Sequence, residues 1–458
     1  MARLLLRATG KGNQLFGIAL LLATPVALTG VLAVPAAPLV VAVAEAPSAA
    51  APALVVAADP IGGPSTPIDS FTGVALLESL GSMSRGDVRA FLDSHPDAVR
   101  DLLASPPSAD AVAAWWDAAP ASGRAALRTL APELVGNLEG VPYLARDLAN
   151  RAELDAAHAE LEARLSGSTV GRAERNELET RLHMLDQIEA ALEPNGEERR
   201  LVSLDVEGEG RAVIVVGDIA HADYVSYLVP GMFFGVDAQI AAWTDTAQAL
   251  IDAQRRWLEV LHPGSNATVA AVAWIGYTTP SLVNVASMEL AREGQASLTA
   301  SLEGLRATRG DDQPYLSVLA HSYGSSAALL SLAEDDVSVD ALAVVGSPGS
   351  PARSVAELHV TGGNVWVGAA EWDPIPASGV FGSQPASRAY GAHLFSVAAG
   401  TDPVTGASLS GAVTHNDYFA PGGMSLRNLA LIGIGEGAQV VGADHSRGDF
   451  ARALTRVR

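Results

Sequence analysis

The residues best suited to chemistry lie in the second half of the chain. Ala320-His321-Ser322-Tyr323-Gly324 follows an apolar run at 316–319 and precedes a helical stretch rich in Ser, Ala and Leu. A serine on so tight a strand-to-helix turn presents its hydroxyl for nucleophilic attack, and only small side chains fit two positions either side of it. Ala320 stands where glycine is commoner and meets the size requirement. A second small-x-Ser-x-Gly match, Ser82-Met83-Ser84-Arg85-Gly86, has no strand before it. There Ser84 is accounted for as a helix cap, with Asp87 three residues on. Context therefore selects Ser322. His321, inside the turn, is expected to pack, because the turn directs it away from the neighbouring hydroxyl.

A serine hydroxyl attacks poorly until a base takes its proton, and the base needs an acid to hold its tautomer. In the chain order Ser, acid, His, the acid is expected at Asp373, in Glu371-Trp372-Asp373-Pro374 just past the run 365–368, with Glu371 as the alternative. Asp340 precedes its strand and so falls at the wrong end of the sheet. The base is expected at His415, in Thr414-His415-Asn416-Asp417-Tyr418; His359, His393 and His445 are less well placed. Two donors should meet a developing oxyanion. One is the backbone N–H of Tyr323. The other comes from Pro230-Gly231-Met232, where proline has no N–H; Met232 is the expected donor and Gly231 supplies the conformation.

These residues must be positioned by strands. Short β-branched or apolar runs occur at 201–206, 212–216, 225–229, 269–275, 316–319, 341–345, 365–368 and 394–397, mostly separated by helical stretches. Such alternation specifies an α/β domain over 201–440, a mostly parallel sheet with helices on both faces. The first two runs, joined at Gly208–Gly210, form its antiparallel edge. Residues 71–200 read as helical, with Leu154, Leu161 and Leu165, then Leu178, Leu182, Leu185, Ile188 and Leu192, striping two antiparallel helices. The stripes are expected chiefly to be core; a lid or a partner-binding surface is the alternative.

The 458 residues carry a net charge of −22 and no cysteine. Disulfides, thiolate nucleophiles and Cys-ligated zinc are thereby excluded. Arg3, Arg7 and Lys11 meet no acid before residue 45, so the remainder carries −25. That charge repels polyanions, which argues against nucleic acid as a partner. The basic residues lead into an apolar run ending in Ala42-Val43-Ala44. Residues 1–44 are thus expected to be a signal peptide or a membrane anchor, either of which puts the protein outside the cytoplasm, secreted or at the cell surface. Residues 45–70 are an Ala/Pro-rich linker and 441–458 a C-terminal tail. No metal or phosphate-binding pattern occurs, and no cofactor is expected.

Further segments carry a resemblance. Trp115-Trp116, Val135-Gly136-Asn137-Leu138-Glu139-Gly140-Val141-Pro142, Arg146 and Asn150 precede Val229-Pro230-Gly231-Met232, Trp274-Ile275-Gly276-Tyr277, His321-Ser322-Tyr323-Gly324-Ser325, Gly346-Ser347-Pro348-Gly349, Asp373-Pro374 and His415-Asn416-Asp417-Tyr418. In this order they resemble landmarks of an actinobacterial α/β-hydrolase family of unassigned function, over roughly residues 111–435. The chain departs from it at Thr278, where an acid is usual, and at Ala320. The resemblance implies the α/β-hydrolase fold, preceded here by the helical region, and the nucleophile, acid and base roles of Ser322, Asp373 and His415. The expected function is a serine hydrolase cleaving a small-molecule or lipid acyl ester through an acyl-enzyme. The alternatives are a peptidase or amidase on the same site, and a non-catalytic envelope scaffold whose helices recruit a protein partner.

Overall fold

The computed structural model describes residues 71–167, 171–334 and 336–442. The expected export segment, the whole of the linker and almost all of the tail, His445 included, lie outside them. Six short helices open the described chain: α1 (Gly73–Ser82), α2 (Arg85–Ser94), α3 (Ala98–Ala104), α4 (Ala109–Ala118), α5 (Ala121–Leu130) and α6 (Pro132–Asn137). Ser84 caps α2 by accepting from the Asp87 N–H at 3.3 Å, while its hydroxyl donates to the Asp87 carboxylate at 2.7 Å. Trp115 and Trp116 on α4 are buried and anchor the core of this helical group with Leu77, Leu127 and Leu134.

Two long helices follow, α7 (Tyr143–Leu165) and α8 (Arg172–Leu192), and then the sheet: β1 (Arg199–Asp205), β2 (Arg211–Val216), β3 (Tyr224–Val229), β4 (Val269–Ile275), β5 (Tyr315–His321), β6 (Ala341–Val345), β7 (Val365–Gly368) and β8 (His393–Leu394). Helices α9 (Val236–Leu261), α10 (Glu289–Arg309) and α11 (Tyr323–Glu334) connect the central strands, and α12 (Met424–Gly433) follows the last. The strand order is β1-β2-β4-β3-β5-β6-β7-β8. β2 runs antiparallel to both neighbours, and β4 through β8 pair in parallel. This is the α/β-hydrolase fold.

Period-two alternation divides each strand between two cores. Ala212, Ile214 and Val216 of β2 face one, and Val213 and Val215 the other. Both faces are covered, so the strands read in sequence as unbroken apolar runs. The leucine stripes belong to the first core: Leu154, Leu161, Leu178, Leu185, Ile188 and Leu192 are buried with the β2 and β4 side chains. The protein's own interior occupies those faces.

The edge strand β1 is not left bare. Asn137 accepts from the Leu204 N–H and donates to the Leu204 carbonyl, both at 2.9 Å. Asp147 accepts from the Leu201 N–H at 2.7 Å, Asn150 donates to the Leu201 carbonyl at 3.0 Å, and Arg151 donates to the Arg199 carbonyl at 2.7 Å. Side chains of α6 and α7 thus act as a substitute strand for exposed backbone groups. Gly136 permits this contact, because a Cβ there would lie 1.8 Å from Asn150 Oδ1.

The last strand is shorter than the run 394–397 suggests. Only His393 and Leu394 pair with β7, itself four residues long, and the chain then turns so that the Ser396 N–H donates to the Val441 carbonyl at 2.8 Å. The Phe395 N–H still donates to the Val367 carbonyl of β7 at 3.1 Å, but Val397 makes no pair with β7, and both side chains are apolar because they are buried.

Candidate active site

Ser322 follows the last residue of β5 and precedes the first of α11, with φ of 53°. Positive φ is costly for a residue with a Cβ, and its occurrence at a strand-to-helix turn is the geometry that would present a serine hydroxyl for attack. The Ser322 N–H is held by the Val345 carbonyl at 2.9 Å. Its carbonyl accepts from the Ser325 hydroxyl at 2.5 Å, which in turn lies 2.7 Å from the Ser347 hydroxyl. Gly324 is required by a neighbouring loop, since a Cβ there would sit 2.1 Å from the Pro230 carbonyl oxygen. The buried Ala320 is tolerated because it faces the second core.

Asp373, on the loop that leaves the C-terminal end of β7, and His415, on the loop that precedes α12, converge on Ser322. The Ser322 hydroxyl lies 2.7 Å from His415 Nε2, and His415 Nδ1 lies 2.8 Å from Asp373 Oδ2. An ionised carboxylate can only accept, which assigns the proton to Nδ1 and leaves Nε2 as the acceptor of the serine proton. Gly346, at φ of 61°, makes room for the imidazole: a Cβ there would come within 3.0 Å of two ring atoms. Burial pushes the Asp373 carboxyl up, but its hydrogen bonds to His415 and Tyr418 and the Ile375 N–H outweigh this and hold it below the ordinary carboxylate range. Glu371 is exposed, and Asp340 accepts from the Leu316 N–H at the start of β5, the opposite end of the sheet.

Two supporting residues carried no assigned role in the sequence reading. The Tyr418 hydroxyl donates to Asp373 Oδ2 at 2.7 Å and accepts from the Ala370 N–H at 2.9 Å, tying Asp373 to the loop that carries His415. Its sequence signal was proximity: it lies three residues after His415. His321 is buried, as expected, but its Nε2 also lies 2.7 Å from the His415 carbonyl, and the two rings are 4.7 Å apart. Burial, then the charge of His415, lowers its pKa to about 3, so the imidazole is neutral and donates its proton to that carbonyl.

The 230–232 turn lies against the serine, where a Cβ on Gly231 would meet Ser322 Cβ at 2.4 Å. Gly231 therefore supplies space, and the expectation that it supplies a special conformation is corrected: the left-handed residue is Phe233, with φ of 62°. Tyr277 donates to the Pro230 carbonyl at 2.9 Å and fixes the turn. The Tyr323 N–H, in the first turn of α11, has no intrahelical acceptor. Thr278, the position at which the chain departs from the pattern it resembles, hydrogen-bonds the Glu293 carboxylate of α10 through its N–H and hydroxyl, each at 3.4 Å.

Among the described residues, His158, Asp186 and Glu189 are the one group whose ligand atoms lie close enough to hold a metal. They sit on α7 and α8, where His158 already hydrogen-bonds Asp186 at 3.1 Å.

The chain is similar to known proteins at several levels. A family model described as an alpha/beta hydrolase matches residues 205–382, a span that includes Ser322 and Asp373 and stops before His415. Two uncharacterized proteins of Mycobacterium tuberculosis are each 29% identical over 366 residues, 70% of this chain and 55% of theirs. The chain spans about half the length of these curated relatives. Together these matches agree with an actinobacterial hydrolase family of unassigned function. Solved structures similar to the chain include an esterase of Pyrobaculum calidifontis (12% identity, 62% of this chain and 97% of that one, TM-score 0.32) and a carboxyl esterase of Tuber melanosporum (14%, 54% and 89%, 0.31).

Proposed function

We propose that this protein is a serine hydrolase that cleaves carboxylic esters through an acyl-enzyme. The observation that carries the reading is the unbroken series Asp373–His415–Ser322, with contacts of 2.8 and 2.7 Å on a left-handed nucleophile. As substrate enters, His415 Nε2 takes the Ser322 proton while Oγ bonds to the ester carbonyl carbon. The resulting oxyanion is met by the backbone N–H groups of Tyr323 and Met232. The carbon–alkoxy bond breaks and the alkoxide leaves with the proton from His415; water, giving its proton to the same base, then attacks the acyl carbon, the bond to Ser322 Oγ breaks, the carboxylic acid departs and His415 returns the proton to Oγ. Asp373 stays ionised and holds the imidazolium. The basic and then apolar N-terminal sequence supports an exported or cell-surface location.

The test is labelling with a fluorophosphonate, followed by peptide mapping. The adduct is expected on Ser322 and is expected to be absent from His415→Ala. Ser322→Ala should lower p-nitrophenyl ester hydrolysis by at least about 10³-fold. A folded variant that keeps the wild-type rate would sink the proposal.

A further inference from the structure

We infer that the rim around Ser322 docks onto the surface of an acyl-lipid phase without net charge, so that the esters it acts on are lipids presented at an interface. This rests on the ester-hydrolase reading above. Ten large apolar side chains are exposed among the described residues; five of them, Phe233, Leu282, Val283, Trp372 and Val380, are on loops leaving the C-terminal ends of sheet strands, and Val413 is on the loop that carries His415. That edge also holds the reacting groups. Phe233 follows Met232, Trp372 precedes Asp373, and Val413 is two residues before His415. Val380 adjoins Phe381, whose ring lies 5.6 Å from that of Tyr323.

The loop after β4 is the most exposed part of this rim, with Leu282 77% and Val283 95% accessible. It is nonetheless built. The Phe233 N–H donates to the Pro280 carbonyl at 3.1 Å, the Ser281 N–H donates to Asn284 Oδ1 at 2.8 Å, and the Tyr323 hydroxyl donates to the Ser287 carbonyl at 2.5 Å. Leu282 and Val283 therefore stand at the tip of a braced turn. Isolated exposed apolar residues are ordinary, but their gathering around one site marks a surface that meets an apolar partner.

Charge selects the occupant. From Tyr277 to Met288 there is no ionisable acid or base apart from the buried tyrosine, and beyond residue 44 the chain carries −25. An anionic lipid surface is repelled by the body of the protein, whereas one without net charge accepts the aliphatic tip. A tryptophan two-thirds exposed beside the site suits the interfacial layer.

The absence of cysteine makes the test specific to one position. The full chain carrying Ser322→Ala and Val283→Cys is labelled at residue 283 with an environment-sensitive fluorophore. The same background with Glu177→Cys, an exposed position on α8, serves as reference. Adding phosphatidylcholine vesicles is expected to raise and blue-shift emission several-fold at 283 and not at 177, with a smaller response to phosphatidylglycerol vesicles. No change at 283, equal changes at both positions, or a larger response to phosphatidylglycerol overturns the inference. Fluorophosphonate labelling of the unsubstituted chain is scored separately. Insertion at 283 without labelling at Ser322 defeats the hydrolase reading and leaves a lipid-binding surface.

Discussion

At the scale of single residues, the site is held by constraints that admit few substitutions. A left-handed serine costs of order 1–3 kcal/mol. It persists because the Ser322 N–H and carbonyl are both bonded and Gly324 and Gly231 let the 230–232 turn close over it. Gly231→Ala would drive a methyl group to 2.4 Å from Ser322 Cβ. The turn or the serine must then move by about an ångström, and turnover is expected to fall on the order of 10²-fold with little change in unfolding midpoint. Steady-state ester hydrolysis beside a urea titration checks both. Tyr418→Phe removes a donor from Asp373 and leaves the Ala370 N–H unpaired in the interior. The expected cost is about 1–3 kcal/mol of stability, read as a lower urea midpoint. A lower kcat at unchanged KM should accompany it, because Tyr418 touches the acid and not the substrate.

At the scale of elements, the segment 132–151 is explained by the strand it covers. An uncovered β1 would present a row of unpaired N–H and carbonyl groups. Asn137, Asp147, Asn150 and Arg151 meet those groups one by one. Asn150→Ala strips donors from the Gly136 and Leu201 carbonyls, which are buried. It is expected to destabilise the protein by about 1–3 kcal/mol while leaving fluorophosphonate labelling of Ser322 at the wild-type rate, since β1 is the edge furthest from the nucleophile strand on its side of the sheet. A labelling rate that falls with stability would show that the edge also sets the site. The leucine stripes were legible as helices from their spacing, but spacing cannot say which surface a stripe meets. The fold answers that by packing α7 and α8 into the core they share with the sheet.

At the scale of the molecule, His321 links the site to global stability. Below about pH 6.5 the unfolded chain takes up a proton on this imidazole, whereas the folded chain resists it until pH falls to about 3. The unfolded state therefore binds more protons between those values, and stability rises with pH across the window. Its contribution is fully present above pH 6.5 and is lost as pH falls toward 3. Asp373, whose carboxyl is held low, adds a loss of the same sign, mainly below pH 4. Urea unfolding at pH 7 and pH 5 isolates His321 when the wild type is compared with His321→Gln, because His158, whose pKa is raised by its hydrogen bond to Asp186, titrates in both. The wild type is expected to lose stability between the two, and His321→Gln to lose less. Equal losses would mean that His321 is not the titrating group.

Read alone, the chain singled out Ser322, Asp373 and His415, which the structure brings within hydrogen-bond reach of one another, and placed seven of the eight strands nearly to the residue, because buried strands leave unbroken apolar runs and a tight strand-to-helix turn demands small neighbours. It could not foretell that β8 would stop after two residues, since burial makes Phe395 and Val397 apolar whether or not they pair. Nor could it assign Tyr418 and His321 their hydrogen bonds, or Gly231 its service as space, because these depend on loops from different strands meeting in three dimensions. The apolar rim has the same origin. Phe233, Val283, Trp372 and Val413 are unremarkable in four separate stretches of sequence, and only a sheet whose parallel strands end on one edge sets them around one serine.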